Sequence, residues 1–238
     1  WVALAAGCGL LPDKIDETAN WSAQRLYTEA KELMGEGSYE QAIKLYEKLE
    51  AKFPYGRYAQ QAQIEVAYAY YRQGERVQAV AACDRFIRLH PNHPQLDYAM
   101  YMKGLAAYEG DRDIFFRFLD LDLSTRDLSS SREAFREFSE LIRRFPASQY
   151  AQDAQARMIH VRNQLARQEL HAARYYAKRK AYVSCLNRSR WIIENYPGTP
   201  AVADALALQV WAYGKLGIKD LAEQQLALLR SNFPDHKG

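Results

Sequence analysis

The apolar positions of this chain follow one pattern that recurs five times and ends each time in a proline. An aromatic residue or a histidine precedes Pro54, Pro91, Pro146, Pro197 and Pro234. These prolines are separated by 37, 55, 51 and 37 residues, which indicates a 37-residue unit with additions in the third and fourth copies. Five residues before each proline stands a large apolar residue: Leu49, Phe86, Leu141, Ile192 and Leu229. Twelve residues before it stands a small one: Ala42, Ala79, Ala134, Cys185 and Ala222.

Each copy of the pattern predicts two helices joined by a tight turn. Its apolar and small positions are separated by three or four residues, so they share one face of a helix. Gly37, Gly74 and Gly217 mark the turn inside a unit, where a positive φ closes the first helix. The proline ends the second helix because it pushes the preceding residue out of helical geometry.

The repeat resembles the tetratricopeptide family over residues 22 to 234. We therefore expect an all-α protein, an α-solenoid of about five tetratricopeptide-like helical hairpins, because such hairpins bury both faces only when they stack. Two lobes are predicted. Residues 22–110 form the N-terminal lobe, with repeats one and two and the first helix of repeat three, and residues 130–238 form the C-terminal lobe.

Residues 111–129 have no place in the repeat and are predicted to be an insertion. Their apolar side chains are too many for a solvated loop: Ile114, Phe115, Phe116, Phe118 and Leu119. The segment either folds back to plug the solenoid or binds a partner. A second departure is residues 151–179, which contain no glycine or proline and predict a helix of about 43 Å.

The first eight residues have the features of an export signal that ends at a cysteine. Residues 1–7 are apolar or small and are interpreted as the tail of a signal peptide, and residues 4–8 resemble a bacterial lipobox. Cys8 is then the lipidated residue, and residues 8–21 form the linker from the lipid to the repeats. The alternative is an ordinary secretory signal with a chance cysteine. No cofactor is expected other than this covalent lipid.

The charge of the chain is nearly balanced overall but unevenly distributed. The formal net charge is +3, which does not favour a nucleic-acid partner recognised through phosphate neutralisation. Between residues 131 and 190, thirteen basic residues stand against five acidic ones, a local net charge of +8. We expect this segment to face an acidic surface of a partner protein.

Several longer phrases point to a narrower family than the general repeat. These are FPYGRY at residues 53–58, AYY at 69–71, DRFIRLHPNHP at 84–94, DYAMYMKGL at 97–105 and the pair Asn187 and Arg188. Together with the lipobox, the five hairpins and the insertion, they resemble the lipoprotein D subunit family of the bacterial β-barrel assembly machinery. Ordinary tetratricopeptide repeats do not carry these phrases.

This resemblance implies a non-enzymatic lipoprotein on the periplasmic face of the outer membrane, held there by its lipid. Its implied partners are the periplasmic domain of the barrel-forming assembly subunit, smaller assembly lipoproteins and unfolded outer-membrane proteins, with no nucleic acid. The alternative within the same fold is a periplasmic scaffold lipoprotein that coordinates cell-wall synthesis or division. Recovery of an outer-membrane barrel subunit in a pull-down distinguishes the two hypotheses.

An aromatic cluster in the N-terminal lobe is the predicted client-binding site. It consists of Phe53, Tyr55, Gly56, Arg57, Tyr58, Tyr68 and Tyr71. Tyrosine provides a large contact area at little entropic cost, and Arg57 offers a two-pronged hydrogen bond to a carboxylate. We expect this site to receive an extended segment that ends in an aromatic residue and a carboxylate. The alternative for Tyr68 and Tyr71 is ordinary packing within the repeat.

Arg188 is the predicted partner-binding residue of the C-terminal lobe. It lies in the second helix of repeat four, where the resembling family carries its docking arginine, within the basic segment. It is expected to contact an acidic residue on the periplasmic domain of the barrel-forming subunit. The alternative is a solvated arginine on a helix face, which contributes little.

The sequence contains no arrangement that indicates an enzyme or a metal centre. It has no glycine-rich phosphate loop, no Cys-x-x-Cys and no His-Glu-x-x-His motif. His90 and His93 flank two prolines and are interpreted as part of a turn rather than as metal ligands. Cys83 and Cys185 occupy repeat core positions, so both are predicted to be buried structural thiols.

Overall fold

The predicted helical hairpins are present in the computed structural model, which describes residues 18–108 and 129–236. Within these residues lie ten α-helices and no strand, so the all-α prediction is confirmed. Their bounds are α1 Ala23–Gly35, α2 Tyr39–Lys52, α3 Arg57–Gln73, α4 Arg76–Leu89, α5 Leu96–Ala107, α6 Ser129–Arg144, α7 Ala151–Lys178, α8 Tyr182–Asn195, α9 Ala201–Lys215 and α10 Lys219–Asn232.

The repeat positions read from the sequence form the core. All five large residues that stand five positions before a proline are buried. Of the small residues seven positions earlier, the first four are fully buried, whereas Ala222 in α10 is only partly buried. The last hairpin therefore has the repeat geometry with less of its apolar stripe covered.

Four of the hairpins turn through a residue with positive φ. Gly37, Gly74 and Gly217 have φ of 81°, 81° and 76°, as the pattern predicts, and Lys180 takes the same place in repeat four with φ of 59°. In each turn the next amide donates to the carbonyl five residues back, as in Ala181 N to Tyr176 O at 3.0 Å. This bonding caps the preceding helix. Lysine adopts the left-handed conformation at a steric cost that glycine avoids.

Each proline ends the helix before it. The residue before the proline has nearly the same backbone conformation in four repeats, with φ between −126° and −137° and ψ between 49° and 68°: Phe53, His90, Tyr196 and Phe233. These residues close the helix with a last hydrogen bond, such as Phe53 N to Leu49 O at 2.8 Å. This conformation lies outside the helical region, which a following proline disfavours.

The chain divides into two compact units, one ending at Ala69 and the other beginning at Tyr70. In the first unit, α1 packs against α2. In the second, consecutive helices pack from α4 to α10 and α7 also packs against α9, which is the stacking of a solenoid. The predicted lobe boundary at the insertion stays a prediction, because residues 109–128 lie outside the described residues.

One close contact between helices of the second unit depends on a glycine. Gly104 of α5 lies so close to Phe138 of α6 that a Cβ there would stand 2.4 Å from the ring, so only glycine permits this approach.

The helix α7 has 28 residues, which confirms the long helix predicted for repeat four. Within the described residues, no helix is long and apolar enough to cross a membrane.

Candidate functional site

The loop between α2 and α3 presents the first part of the predicted client-binding cluster. Tyr55 is 91% exposed, whereas Phe53 is partly buried and ends α2. Gly56 has φ of 106°, a conformation that side chains rarely adopt, so the glycine sets the direction in which the chain enters α3. The loop thus holds a tyrosine ring in solvent beside the start of a helix.

Arg57 and Tyr58 form a pair at the start of α3. The Arg57 guanidinium lies 5.0 Å from the centroid of the Tyr58 ring, and its Nη2 donates to the Tyr58 hydroxyl at 3.3 Å. Arg57 is exposed and Tyr58 is partly buried. The arginine therefore rests on an aromatic face, with solvent on its other side.

Behind this pair lie residues that the sequence analysis did not select. Tyr27 of α1 packs between Tyr58 and Tyr46, with ring centroids 5.5 and 5.8 Å away. Burial, and then the charge of Glu65 and a hydrogen bond to it, raise the pKa of Tyr27 to about 12. Glu65 also pairs with Lys31 at 2.6 Å. Tyr27 stands 31 residues from Tyr58 along the chain, so no spacing rule within one helix indicates their contact.

Tyr68 and Tyr71 lie farther along α3 and are partly buried. Tyr68 is ten residues beyond Tyr58, which is about 15 Å along a helix axis. The structure thus brings Tyr58 together with Arg57, while Tyr68 requires an occupant that extends along the helix. Tyr68 and Tyr71 fall in different compact units, and their part in one site stays a prediction.

The C-terminal candidate residue, Arg188, lines a pocket between α7 and α8. The pocket has a volume of about 380 Å³ and is lined by Tyr176, Ser184, Asn187, Arg188 and Trp191. The four residues from α8 are spaced by three, one and three positions, so they share one helical face. Trp191 is 48% exposed, which is unusual for so large an apolar ring. Arginine, tryptophan and tyrosine are the residue types that dominate binding energy at protein interfaces.

Arg188 already has a partner inside the chain. Its Nη1 donates to Oε2 of Glu169 in α7 at 2.8 Å, and the Arg188 side chain is 46% exposed whereas that of Glu169 is 10% exposed. The arginine is therefore not a freely solvated residue on a helix face. The expected contact between Arg188 and an acidic residue of the partner stays a prediction. In that contact the Arg188 guanidinium would keep its hydrogen bond to the buried carboxylate of Glu169.

Other basic residues of the predicted basic segment are also paired within the chain. Arg143 bonds to Glu140, Arg157 to Asp153 at 2.6 Å and Arg174 to Asp204 at 2.9 Å. These contacts orient the side chains but leave the net positive charge of the segment unchanged. Arg188 differs from them because its carboxylate partner is the most buried of the four.

The remaining predicted residues fall into two groups. Cys83 and Cys185 are buried free thiols, as predicted, and burial raises the pKa of Cys83 to about 12, so it stays protonated and unreactive. His90 and His93 pack against the Phe86 ring, and His93 Nδ1 accepts from Gln95 N, which fits the predicted turn. Cys8 and the insertion 111–129, apart from Ser129, lie outside the described residues.

Stacked helical hairpins that present arginine and aromatic side chains define this chain as a repeat protein built to bind other proteins. The family model of the YfiO outer membrane lipoproteins matches residues 19–228. The chain therefore belongs to this outer membrane lipoprotein family.

Curated relatives agree with this assignment. A protein of Neisseria meningitidis serogroup A is 44% identical over 91% of this chain and 81% of its own length. A protein of Vibrio cholerae is 34% identical over 97% of this chain and 95% of its own. Both are named outer membrane protein assembly factor BamD. Among solved structures, the crystal structure of MamA protein matches 88% of this chain and 91% of its own, with 15% identity and a TM-score of 0.41.

Proposed function

We propose that this chain is an outer membrane protein assembly factor, a non-enzymatic subunit of the β-barrel assembly complex. The observation that carries the proposal is the pocket on α8, in a chain whose relatives are named assembly factors. Arg188 supplies a cationic group that is held in place, and Trp191 and Tyr176 supply aromatic area beside it. This combination suits a partner surface that offers an acidic side chain next to an apolar one.

The proposed occupant of the pocket is the periplasmic domain of the barrel-forming subunit. An acidic residue of that domain reaches Arg188 from the solvent side, while Glu169 holds the opposite side of the guanidinium. The excess of positive charge between residues 131 and 190 steers the acidic partner toward this face. Smaller assembly lipoproteins are further proposed partners.

The N-terminal cluster is proposed to receive unfolded outer-membrane proteins. Tyr55 offers an exposed ring, and Arg57 lies one residue beyond the Gly56 turn with its guanidinium open to solvent. A client segment that ends in an aromatic residue and a carboxylate would stack on the tyrosine and bond to the arginine. Tyr58 holds the arginine above its ring, which limits the side-chain motion lost on binding.

The location proposed for these contacts is the periplasmic face of the outer membrane. Lipid on Cys8 would hold the chain there, because several acyl chains give firm attachment where one gives only marginal binding. The test is the Cys8→Ala variant, which is expected to leave the membrane fraction in cells that lack the partner subunits. Retention of the variant in that fraction contradicts lipid anchoring.

A pull-down from detergent extracts tests the function as a whole. The tagged chain is expected to recover an outer-membrane barrel protein in stoichiometric amount, identified by mass spectrometry. Recovery of cell-wall synthesis or division proteins in its place would support the alternative, a periplasmic scaffold lipoprotein. The relatives' names favour the assembly factor over that alternative.

A further inference from the structure

Glu169 carries a buried carboxylate on α7, the helix that also contributes Tyr176 to the pocket lining. Its residue exposure is 8%, and in the described residues the one other acidic residue this buried is Glu137. Glu137 bonds with Lys103 at 3.1 Å and with Arg136 at 3.2 Å. For Glu169, within residues 18–108 and 129–236, Arg188 is the one ion-pair partner. Because a buried carboxylate is costly without a partner, the packing of α7 against α8 favours one position of the Arg188 side chain.

The geometry leaves most of the Arg188 guanidinium for another group. Glu169 accepts from Nη1, and a guanidinium carries five N–H donors in a rigid plane. The Arg188 side chain is 46% exposed and lines the pocket beside Trp191, so its other donors remain accessible from the solvent side. One carboxylate behind the arginine and one in front can therefore bond to it simultaneously.

We infer that Glu169 is a positioning residue for docking: it fixes the Arg188 guanidinium at the pocket wall, ready for an acidic side chain of the partner. This inference rests on the proposed function, because the partner's acid is the group that Arg188 awaits. A long arginine side chain loses rotamer freedom when a partner immobilises it, and that loss weakens binding. Here the fold has immobilised the side chain before the partner arrives.

The opposite effect of Glu169 is to neutralise Arg188 and so weaken its attraction for an acid. The location of Glu169 favours the orienting effect over the neutralising one. Glu169 is fixed on α7 and covered, so it does not move into the pocket to compete, and the net charge of the segment is +8 with Glu169 already counted among its five acidic residues. The fixed orientation acts at contact distance, where a misplaced donor loses its hydrogen bond.

The test is calorimetric titration of the full chain in detergent with the periplasmic domains of the barrel-forming subunit. The main variant is Glu169→Gln, which keeps the size and an oxygen acceptor but removes the charge. The matched control is Glu194→Gln, which removes the same charge from an exposed position on α8. Glu169→Gln is expected to weaken binding about two- to tenfold relative to this control, the loss expected for one side chain that must be ordered on binding.

A second readout separates positioning from a general structural role. The side-chain N–H signals of Arg188 in nitrogen NMR spectra, assigned with Arg188→Lys, are expected to be sharp in the wild type and broadened in Glu169→Gln. In the Arg188→Ala background, Glu169→Gln is expected to produce no further loss of affinity, because nothing remains for Glu169 to position.

The outcomes distinguish this inference from the proposed function. A wild-type chain that does not bind the domains contradicts both. Loss of binding in Arg188→Ala, together with a Glu169→Gln affinity equal to that of the control, overturns the inference alone. An affinity gain in Glu169→Gln relative to the control shows that Glu169 competes for Arg188, and this also overturns it.

Discussion

The two candidate sites place an arginine beside aromatic rings, yet they hold it in different ways. Arg57 lies on the Tyr58 ring at the protein surface and donates to the tyrosine hydroxyl. Arg188 is bonded to a buried carboxylate that belongs to the neighbouring helix. The same residue types therefore give one arginine that the fold can lose without penalty and one on which a buried charge depends. The group inside the chain that contacts an arginine determines how its removal affects stability. The solvent-exposed N–H groups of the same arginine determine what it can bind.

The largest expected effect is that of Arg188→Ala. Affinity for the periplasmic domains is expected to fall about thirtyfold to several thousandfold, because a desolvated charged contact is worth about 2–5 kcal/mol. Removal of a solvated arginine on a helix face would leave the melting point of the isolated chain unchanged, but the ion pair with Glu169 changes this expectation. Glu169 is left buried without its partner, so the free energy of unfolding is expected to fall by about 1–3 kcal/mol. Calorimetry and thermal denaturation measure the two effects.

Two variants complete this prediction. Arg190→Ala, two positions along α8, is expected to change both quantities little, because its side chain points in a different direction from Arg188 and does not line the pocket. The double variant Arg188→Ala with Glu169→Leu removes both charges, so it is expected to recover the melting point but not the affinity. An Arg188→Ala affinity within about threefold of wild type would remove this residue from docking. An unchanged melting point would show that Glu169 does not depend on it.

A smaller effect separates stability from docking in the same unit. Lys180→Gly relieves the left-handed backbone of the turn before α8, and it is expected to raise the free energy of unfolding by about 0.5–1 kcal/mol. Because Lys180 does not line the pocket, affinity for the periplasmic domains is expected to stay unchanged. Urea denaturation measures the gain. Lys178→Gly, the same change at the last residue of helix α7, serves as the control and is expected to destabilise the chain by at most about 1 kcal/mol.

The smallest effect is expected at the other arginine. Arg57→Ala is expected to weaken binding of a fluorescent client peptide that ends in phenylalanine by about two- to fivefold, because an exposed ion pair is screened by solvent. The melting point is expected to stay the same, since no buried charge depends on Arg57. Arg57→Lys keeps the charge without the planar fork and should fall between wild type and alanine. If Arg57→Ala lowered the melting point as much as Arg188→Ala, the two sites would not differ as described. Peptide crosslinks found solely beyond residue 130 would contradict client binding at the N-terminal cluster.

Much of the fold follows from positions that one helix or one turn determines. Residues close in sequence determine where a proline ends a helix, where a glycine turns the chain and which residues before each proline are buried. The turn glycines and the buried large residues lie in the structure where the pattern predicts them. The face of α8 that lines the pocket is also periodic in sequence, since Ser184, Asn187, Arg188 and Trp191 have helical spacing. That spacing indicates a shared helical face, from which the sequence prediction took Arg188 as the binding residue, whereas the pocket also requires Tyr176 of α7.

The contacts between helices are what the sequence does not determine. Glu169 and Arg188 are 19 residues apart, on helices whose relative rotation decides whether they face each other. The same holds for Tyr27 behind Tyr58 and for Gly104 against Phe138. Lys180 illustrates another limit: neighbouring repeats require a left-handed residue in the turn, and here the requirement overrides the preference of lysine.

The sparse burial of the last helix has a consequence for how the chain opens. Along Lys219–Asn232, Leu229 is the one buried residue, and Leu221 and Leu228 are 36% and 44% exposed. Elements with few buried residues open locally before the rest does, so amide hydrogens of α10 should exchange with solvent faster than those of α8. Helix α8 packs against both α7 and α9, and its amides exchange through larger openings. Helix α10 can thus open, or be cut by a protease, while the helix that carries Arg188 stays folded.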